Sequence, residues 1–258
     1  MLTRRQILTA SIAAAAAAIP TTAGLTRRMP SSNRPVPTVT VWATTKHPIP
    51  KLPTLAAMLQ RYAELITPAW GVSAHIVAGT HPNPRTWNLG FVDVDENFGG
   101  GVLAYHGFDG RLPLAFIDVP ACLAADGNVT EGATHELAEM MVNPNCGYWA
   151  DAASFNPSGG LSQELLALEI ADPVEGYAFA LDGLKVSDFV FPAYFELWRD
   201  GRIDYAGAIA SPQQVGQGGY QAVRTALGVH ERVGPDARLL KCERHTGIMR
   251  RWHNPEKA

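Results

Sequence analysis

The sequence predicts an α+β fold, in which a mixed β-sheet packs on one largely apolar helix and a part rich in β-hairpins follows. Three patterns lead to this fold class: a strand–helix–strand opening, an apolar helix over residues 129–142, and alternating runs on either side of Asp182-Gly183. We expect a single domain over residues 38–258, because about 220 residues suffice for one sizeable core.

The N-terminal segment is predicted to precede this domain. Arg4-Arg5 begins a twin-arginine pattern, and the apolar run from Ala10 to Ile19 is too short to span a bilayer. With Thr21-Thr22-Ala23 as a cleavage site, residues 1–23 resemble a twin-arginine signal peptide, and residues 24–37 form a linker rich in Pro, Ser and Arg. We expect export to the periplasm or the extracellular space, with no membrane association after signal removal. An uncleaved anchor and a misassigned start are the alternatives.

Charge and cysteine content exclude two classes of site. The formal net charge is −3, and the basic N-terminal segment leaves the remainder more acidic. The only basic cluster, Lys241–Arg251, is small, so we expect no nucleic-acid partner. Cys122, Cys146 and Cys242 are too few and too scattered for a cysteine-ligated zinc site. Two of them can form a disulfide in an oxidising compartment, or all three can be buried thiols. The oligomeric state is left open.

Four strands are predicted ahead of the central helix. They are Thr38–Ala43, Val72–Ala78, Leu89–Val94 and Leu114–Val119. Between the first two, helical spacing from Pro53 to Ile66 predicts a helix that ends at Thr67-Pro68, and hence two parallel strands joined by a crossover. The fourth strand is predicted to accept a peptide by strand addition. His75, His81 and His106 are weak ligand candidates, because none has a partner at metal-binding spacing.

The chain is organised around a helix predicted over Val129–Val142. Asn128 or Thr130 can cap its N-terminus, where Glu131 complements the helix dipole, and Asn143-Pro144 closes it. Because the segment is mostly apolar, the helix is expected to be largely buried. Its polar side chains must therefore find partners.

Three of these polar side chains form a motif. His135 and Glu139 are four residues apart and project from one face, so they can bind one ion together, and Glu136 lies about 100° round the helix axis. The spacing is that of the metalloprotease motif His-Glu-x-x-His with Glu139 in place of the second histidine. Such a metal acidifies its bound water and polarises a substrate carbonyl, and Glu136 is then the general base. A polar network without metal is the alternative.

A downstream acidic segment is the best source of a third ligand. Glu169, Asp172 and Glu175 recur every three residues in an apolar setting, 34 to 40 positions after His135. The choice among them stays open, and a capping or ion-pair cluster is the alternative. The residues just before Glu169 fit a helix and a strand equally well.

The C-terminal part is predicted to contain two hairpins. Residues 177–190 alternate about Asp182-Gly183, a strong hairpin pattern, and Trp198–Tyr205 suggests a second. Asp188 and Tyr194 are the polar side chains here that can contact the site or a substrate. A tyrosine can hydrogen-bond a developing oxyanion, although a structural hydrogen bond is the alternative role for each.

Three sequence blocks together resemble those of zincin-like metallopeptidases. They are His135–Pro144, Glu169–Glu175, and Val186–Phe189 with Pro192. The same blocks in the same order are similar to those of a group of poorly characterised bacterial and phage proteins. The resemblance covers roughly residues 134–205. It implies a zincin-like fold with a metal held by His135, Glu139 and a downstream acid.

Two departures from these families bear on the chemistry. Asn143 stands where the group more often has aspartate, and the second histidine of active zincins is absent. One imidazole with two carboxylates is a hard ligand set, so zinc is less clearly preferred over manganese, iron or calcium. Our main hypothesis is an exported zinc-dependent hydrolase that cleaves peptides or proteins. The alternative is an inactive zincin-like protein whose helix is braced by a metal or a polar network.

Overall fold

The computed structural model describes residues 35–93, 103–125, 128–152, 164–196 and 200–235. The predicted signal peptide, most of the predicted linker and Cys242 lie outside these ranges. The strands are β1 (Thr38–Ala43), β2 (His75–Ala78), β3 (Trp87–Val92), β4 (Ala104–Phe108), β5 (Pro113–Asp118), β6 (Trp149–Ala152), β7 (Glu164–Ala167), β8 (Ala178–Leu181), β9 (Leu184–Ser187), β10 (Tyr220–Thr225) and β11 (Gly228–Val233). The helices are α1 (Leu52–Trp70), α2 (Val119–Ala125), α3 (Val129–Val142) and α4 (Pro192–Phe195), with a 3₁₀ helix at Asp172–Val174. The chain is therefore of the predicted α+β class.

The first five strands form one mixed sheet in the order β2-β1-β3-β5-β4. Every pair is parallel except β4 with β5, so the predicted parallel pairing of β1 and β2 is confirmed. The prediction that the strand over residues 114–119 accepts a peptide is wrong. That strand is β5, and its two edges are already hydrogen-bonded to β3 and β4. No helix in the described ranges is long and apolar enough to cross a membrane.

Helix α1 runs past the end that the sequence predicts. Thr67-Pro68 lies inside its last turn, because the added residues bury Trp70 against the core. The indole N–H of Trp70 donates to the Val190 carbonyl over 3.0 Å. Gly71 then ends the helix in the left-handed conformation, with φ 65°. Burial of one large aromatic side chain outweighs the hydrogen bond that a proline removes near a helix end.

Helix α3 has the predicted bounds. Of the two N-cap candidates the structure has Asn128, whose side-chain oxygen accepts the backbone N–H of Thr130 at 3.0 Å and of Glu131 at 3.3 Å. Every residue of α3 except Glu131 and Gly132 is buried, because the helix packs on α1, β4 and β5 and also contacts β9. The predicted burial of its polar side chains is thereby confirmed.

The C-terminal part contains a second sheet and a separate hairpin. β6, β7, β10 and β11 form an antiparallel sheet in the order β11-β10-β7-β6, so the segment before Glu169 is a strand. The predicted hairpin is confirmed as β8–β9, with positive φ values of 53° at Asp182 and 77° at Gly183. The second predicted hairpin is wrong over residues 200–205, and residues 197–199 lie outside the description. Ile203 and Tyr205 instead make backbone hydrogen bonds to residues 189–191.

Candidate metal centre

The sequence motif on α3 meets the downstream acidic segment inside the protein. β7 ends at Ala167, and the chain then turns so that Glu169 and the 3₁₀ helix lie against α3. Buried side chains from both segments share this space: His135 is 4% exposed, Glu169 is 2% exposed, and Glu136, Glu139 and Asp172 are fully buried. Burial of so many ionisable groups is costly unless they are paired or bind a cation.

Three residues form the first group of potential ligands. His135 Nε2 lies 3.3 Å from Glu139 Oε1 and 3.2 Å from Asp172 Oδ1. The backbone N–H of Asp172 donates to the same Glu139 oxygen over 3.3 Å and fixes the 3₁₀ helix against α3. Ligands about 2.0–2.1 Å from a zinc ion are separated by about 3.4 Å in a tetrahedral site. The two separations from His135 match this value, and all three donor atoms lie within 4.8 Å of one another, so one ion could be bound among them.

His106 also lies in this centre, although the sequence made it only a weak candidate. It projects from β4 towards α3, where its Nδ1 lies 3.2 Å from Glu136 Oε2 and 3.3 Å from Glu139 Oε2. Its Nε2 lies 3.5 Å from Glu169 Oε2. No local sequence spacing predicts these contacts. They depend on the pairing of β4 with β5 and on the packing of α3 against both strands.

A cysteine and an asparagine complete the side of the centre around His106. The buried thiol of Cys146 is free and forms another potential ligand group with His106 and Glu169. Asn143 Nδ2 donates to Glu169 Oε1 over 2.9 Å. The Asn143 side-chain oxygen accepts the backbone N–H of Gly147 and of Tyr148, at 2.9 and 2.8 Å. Asn143 thus connects the end of α3 to Glu169 and to the turn at Gly147 and Tyr148.

Electrostatics divide the centre into proton-holding and proton-free groups. Burial alone would lower the pKa of His135, but the charge of Glu139 and the hydrogen bond to Asp172 raise it above its ordinary value. Burial, reinforced by the charge of Glu139, raises the pKa values of Glu169 and Asp172. Burial would likewise raise the pKa of Glu139, yet the adjacent His135 and His106 hold it below its ordinary value. Without a cation the two histidines and the carboxyl groups must share protons.

Unpaired buried atoms show that a cation suits this centre. Within the described ranges, five side-chain atoms of the centre are buried without a hydrogen-bond partner. They are His106 Nε2, Glu136 Oε1, Glu139 Oε2, Glu169 Oε2 and Asp172 Oδ2. Native proteins rarely leave buried polar atoms unpaired, and an ion bound among these atoms would satisfy them. The residues can hold a metal, and a mixture of imidazole and carboxylate donors fits several divalent ions.

The structure also places the proposed general base and the three outer candidates. Glu136 is paired with His106 and is held inside the protein. Glu175 is only partly buried at the end of the 3₁₀ helix. Asp188 accepts the backbone N–H of Phe189 and of Ala206, at 2.8 and 2.9 Å.

Tyr194 is fully buried, and its hydroxyl has no hydrogen-bond partner within the described ranges. Burial raises the pKa of this phenol, and the nearby charge of Asp172 adds to the increase.

Comparison of the chain with family models, with curated proteins and with solved structures finds no significant match. The function is therefore inferred from the chemistry of the centre itself. That chemistry is a buried set of histidine and carboxylate groups that can hold a metal.

Proposed function

We propose that this chain is an exported metalloprotein with a zincin-like fold, in which a divalent ion stabilises the buried centre on α3. The proposal rests on the convergence of His135, Glu139 and Asp172 inside the core, where His135 Nε2 lies 3.3 Å from Glu139 Oε1 and 3.2 Å from Asp172 Oδ1. This makes Asp172 the proposed third ligand. Zinc is the first candidate, and manganese, iron and calcium are the alternatives for a ligand set with one imidazole and two carboxylates.

The fold supports the zincin-like part of the proposal. A mixed sheet that packs on a motif-bearing helix and is followed by hairpins is the arrangement that the resemblance implies. Burial of the ligands supports a stabilising role, because structural sites are closed whereas catalytic sites keep an open position.

Elemental analysis of the purified chain, refolded or purified with zinc offered, tests this proposal. We expect bound metal in the wild type and the loss of one equivalent in Asp172→Asn, a change that keeps the size of the side chain. Asp151→Asn, at an exposed position in β6, is the matched control and retains all the metal. A folded wild type without metal would overturn the proposal.

Peptide hydrolysis is the second candidate function. It is favoured by Glu136, which follows His135, is held by His106 Nδ1 at 3.2 Å and keeps Oε1 unpaired. A bound metal would supply an acidified water and polarise a substrate carbonyl. Glu136 would then accept a proton, and Tyr194 could donate to the developing oxyanion. A peptide could reach these groups only if the centre opened, because all of them are buried.

A peptide and protein substrate screen tests this second candidate. We expect Glu136→Gln to abolish hydrolysis and to leave the metal content unchanged, because Gln keeps the shape of the side chain but cannot accept a proton. A fully metallated wild type that cleaves nothing in the screen would contradict the hydrolase hypothesis and leave the metalloprotein proposal intact.

Export is tested separately by cell fractionation. The change of Arg4-Arg5 to two lysines should remove the protein from the exported fraction, because the pair forms the twin-arginine pattern. An unchanged distribution would contradict a twin-arginine signal.

A further inference from the structure

We propose that the same centre holds a second metal ion, bound by His106 Nε2, Cys146 Sγ and Glu169 Oε2. The inference deepens the proposed metal centre and rests on it. The three donor atoms lie within 4.8 Å of one another, and all three side chains are buried. A thiolate, an imidazole and a carboxylate suit a thiophilic transition-metal ion such as Zn²⁺, and they do not suit Mg²⁺ or Ca²⁺.

The hydrogen bonding of His106 leaves one ring nitrogen available as a ligand. Its Nδ1 lies 3.2 Å from Glu136 Oε2 and makes a hydrogen bond with it. When Glu136 is ionised, the proton of this hydrogen bond lies on Nδ1, and a singly protonated His106 then carries its lone pair on Nε2. Metal-binding histidines are generally oriented in this way, by a carboxylate on the nitrogen that does not bind the metal.

The lone pair of His106 faces another acceptor. Nε2 lies 3.5 Å from Glu169 Oε2, and neither atom has a hydrogen-bond partner within the described ranges. Two buried acceptors that face each other repel unless a cation lies between them. A doubly protonated His106 and a protonated Glu169 are the competing explanations, since either would place a hydrogen between these atoms. A charge-assisted hydrogen bond is about 2.8 Å long, however, and this separation is longer.

Asn143 prepares the other two ligands for an ion. Its Nδ2 donates to Glu169 Oε1 over 2.9 Å, which leaves Oε2 as the free oxygen. Its Oδ1 accepts the backbone N–H groups of Gly147 and Tyr148, which closes a turn around Cys146. Cys146 has φ 51° in this turn, a conformation that costs energy for a residue with a side chain. Strained residues of this kind cluster at functional sites.

The charge of the whole centre favours two ions over one. When ionised, the Cys146 thiolate and four buried carboxyl groups make five anions, and one divalent ion balances two of them whereas two ions balance four. The four carboxyl groups are those of Glu136, Glu139, Glu169 and Asp172. The first group of ligands, at His135, uses Glu139 Oε1, whereas Glu139 Oε2 lies 3.3 Å from His106 Nδ1. One side chain of α3 therefore connects the two proposed sites.

Titration of the reduced full-length chain with Co²⁺ tests the second site. Thiolate bound to Co²⁺ gives a strong near-ultraviolet absorption band that imidazole and carboxylate ligands do not give. We expect the wild type to bind two Co²⁺ ions and to show this band. Cys146→Ala should bind one ion and lose the band. Cys122→Ala is the matched control, because it also removes a buried cysteine thiol, and it should keep both ions and the band.

A further pair of variants separates this inference from the proposed function. Asp172→Asn should lose one ion and keep the thiolate band. Glu169→Gln should lose the band while it keeps the hydrogen bond from Asn143, and it serves as the second test if Cys146→Ala does not fold, as judged by circular dichroism. One bound ion without a thiolate band in the wild type overturns the second site alone. No bound Co²⁺ in a folded wild type overturns both.

Discussion

Two buried acidic clusters in this protein are satisfied in different ways. Asp188 and Asp204 are almost completely buried, but backbone N–H groups surround them: two donate to Asp188, and those of Ala208 and Ile209 donate to Asp204. Burial and the adjacent Asp204, with which a protonated Asp188 forms a hydrogen bond, raise the pKa of Asp188 to about 7. Within the described ranges Asp188 Oδ2 is the one atom of the pair without a hydrogen-bond partner, and a single proton shared with Asp204 would satisfy it.

The centre on α3 has no comparable backbone environment. Most of its contacts join one ionisable side chain to another, and five of its polar atoms have no hydrogen-bond partner within the described ranges. Histidines stand among its carboxylates, whereas the aspartate pair contacts backbone amides. Burial of acidic side chains alone therefore does not indicate a metal site. A metal site is favoured where unpaired donor atoms lie at ligand spacing beside an imidazole ring.

Chelation of the metal should destabilise the protein most, and it should act on the centre on α3 but not on the aspartate pair. Removal of zinc should lower the free energy of unfolding by about 4 kcal/mol for each site whose ion is present at about 1,000 times its Kd. Denaturant unfolding with and without a chelator measures this loss. Asp188→Asn should show the full loss, whereas Glu139→Gln, which removes a ligand of the first site, should lack the part of the loss that this site contributes. If the free energy of unfolding of the wild type is the same with and without the chelator, the centre on α3 is not stabilised by a metal and does not differ from the aspartate pair in this respect.

The second expected effect concerns pH and the aspartate pair. Because its folded-state pKa is raised from 3.8 to about 7, Asp188 binds more proton in the folded than in the unfolded state between these values. Its contribution to stability is therefore present at low pH and is lost as the pH rises through about 7. We expect the free energy of unfolding of the wild type to fall by about 3 kcal/mol between pH 5 and pH 8. Asp188→Asn should lack this pH-dependent contribution.

Unfolding curves at pH 5 and pH 8, recorded with chelator present, check the aspartate prediction. The difference between wild type and variant isolates Asp188 from the other titrating groups. The exposed Asp151→Asn variant should follow the wild type. Equal pH dependence in wild type and Asp188→Asn would show that the pair does not hold the proton.

A third change introduces a carboxyl–carboxyl contact into the metal centre. Asn143→Asp keeps the oxygen that accepts two backbone N–H groups but replaces the donor to Glu169 with a second acceptor. We expect a loss of about 1–3 kcal/mol in the free energy of unfolding and weaker Co²⁺ binding. The exposed neighbour provides the control, Asn145→Asp, which should change neither. Unchanged binding in Asn143→Asp would mean that Glu169 needs no orientation by residue 143.

The smallest expected effect lies at the other end of α3. Asn128→Ala removes the N-cap acceptor of Thr130 and Glu131 and should cost about 1 kcal/mol of stability. Metal content should stay at the wild-type value, because no ligand lies in the first turn. Thermal unfolding and elemental analysis measure the two quantities. A loss of metal would show that the start of the helix and the centre are coupled.

Local signals made several elements predictable. The bounds of α3 follow from an N-cap, an apolar run and a closing Asn143-Pro144, all within the helix or next to it. The β8–β9 hairpin follows from Asp182-Gly183 between alternating runs. The predicted end of α1 at Thr67-Pro68 is wrong, because its last turn is stabilised by the burial of Trp70 against residues far away in the chain. The failed hairpin at residues 200–205 has the same origin, since those residues pair with residues 189–191.

By itself, the sequence determined which side chains α3 presents and where that helix begins and ends, because helical spacing and capping act over a few residues. It narrowed the third ligand to Glu169, Asp172 or Glu175 without choosing among them. Tertiary structure alone placed Asp172 beside His135 and brought His106 and Cys146 to the same centre. Such convergence depends on strand order and on the packing of α3 against the sheet, contacts between residues far apart in the chain that no local pattern encodes.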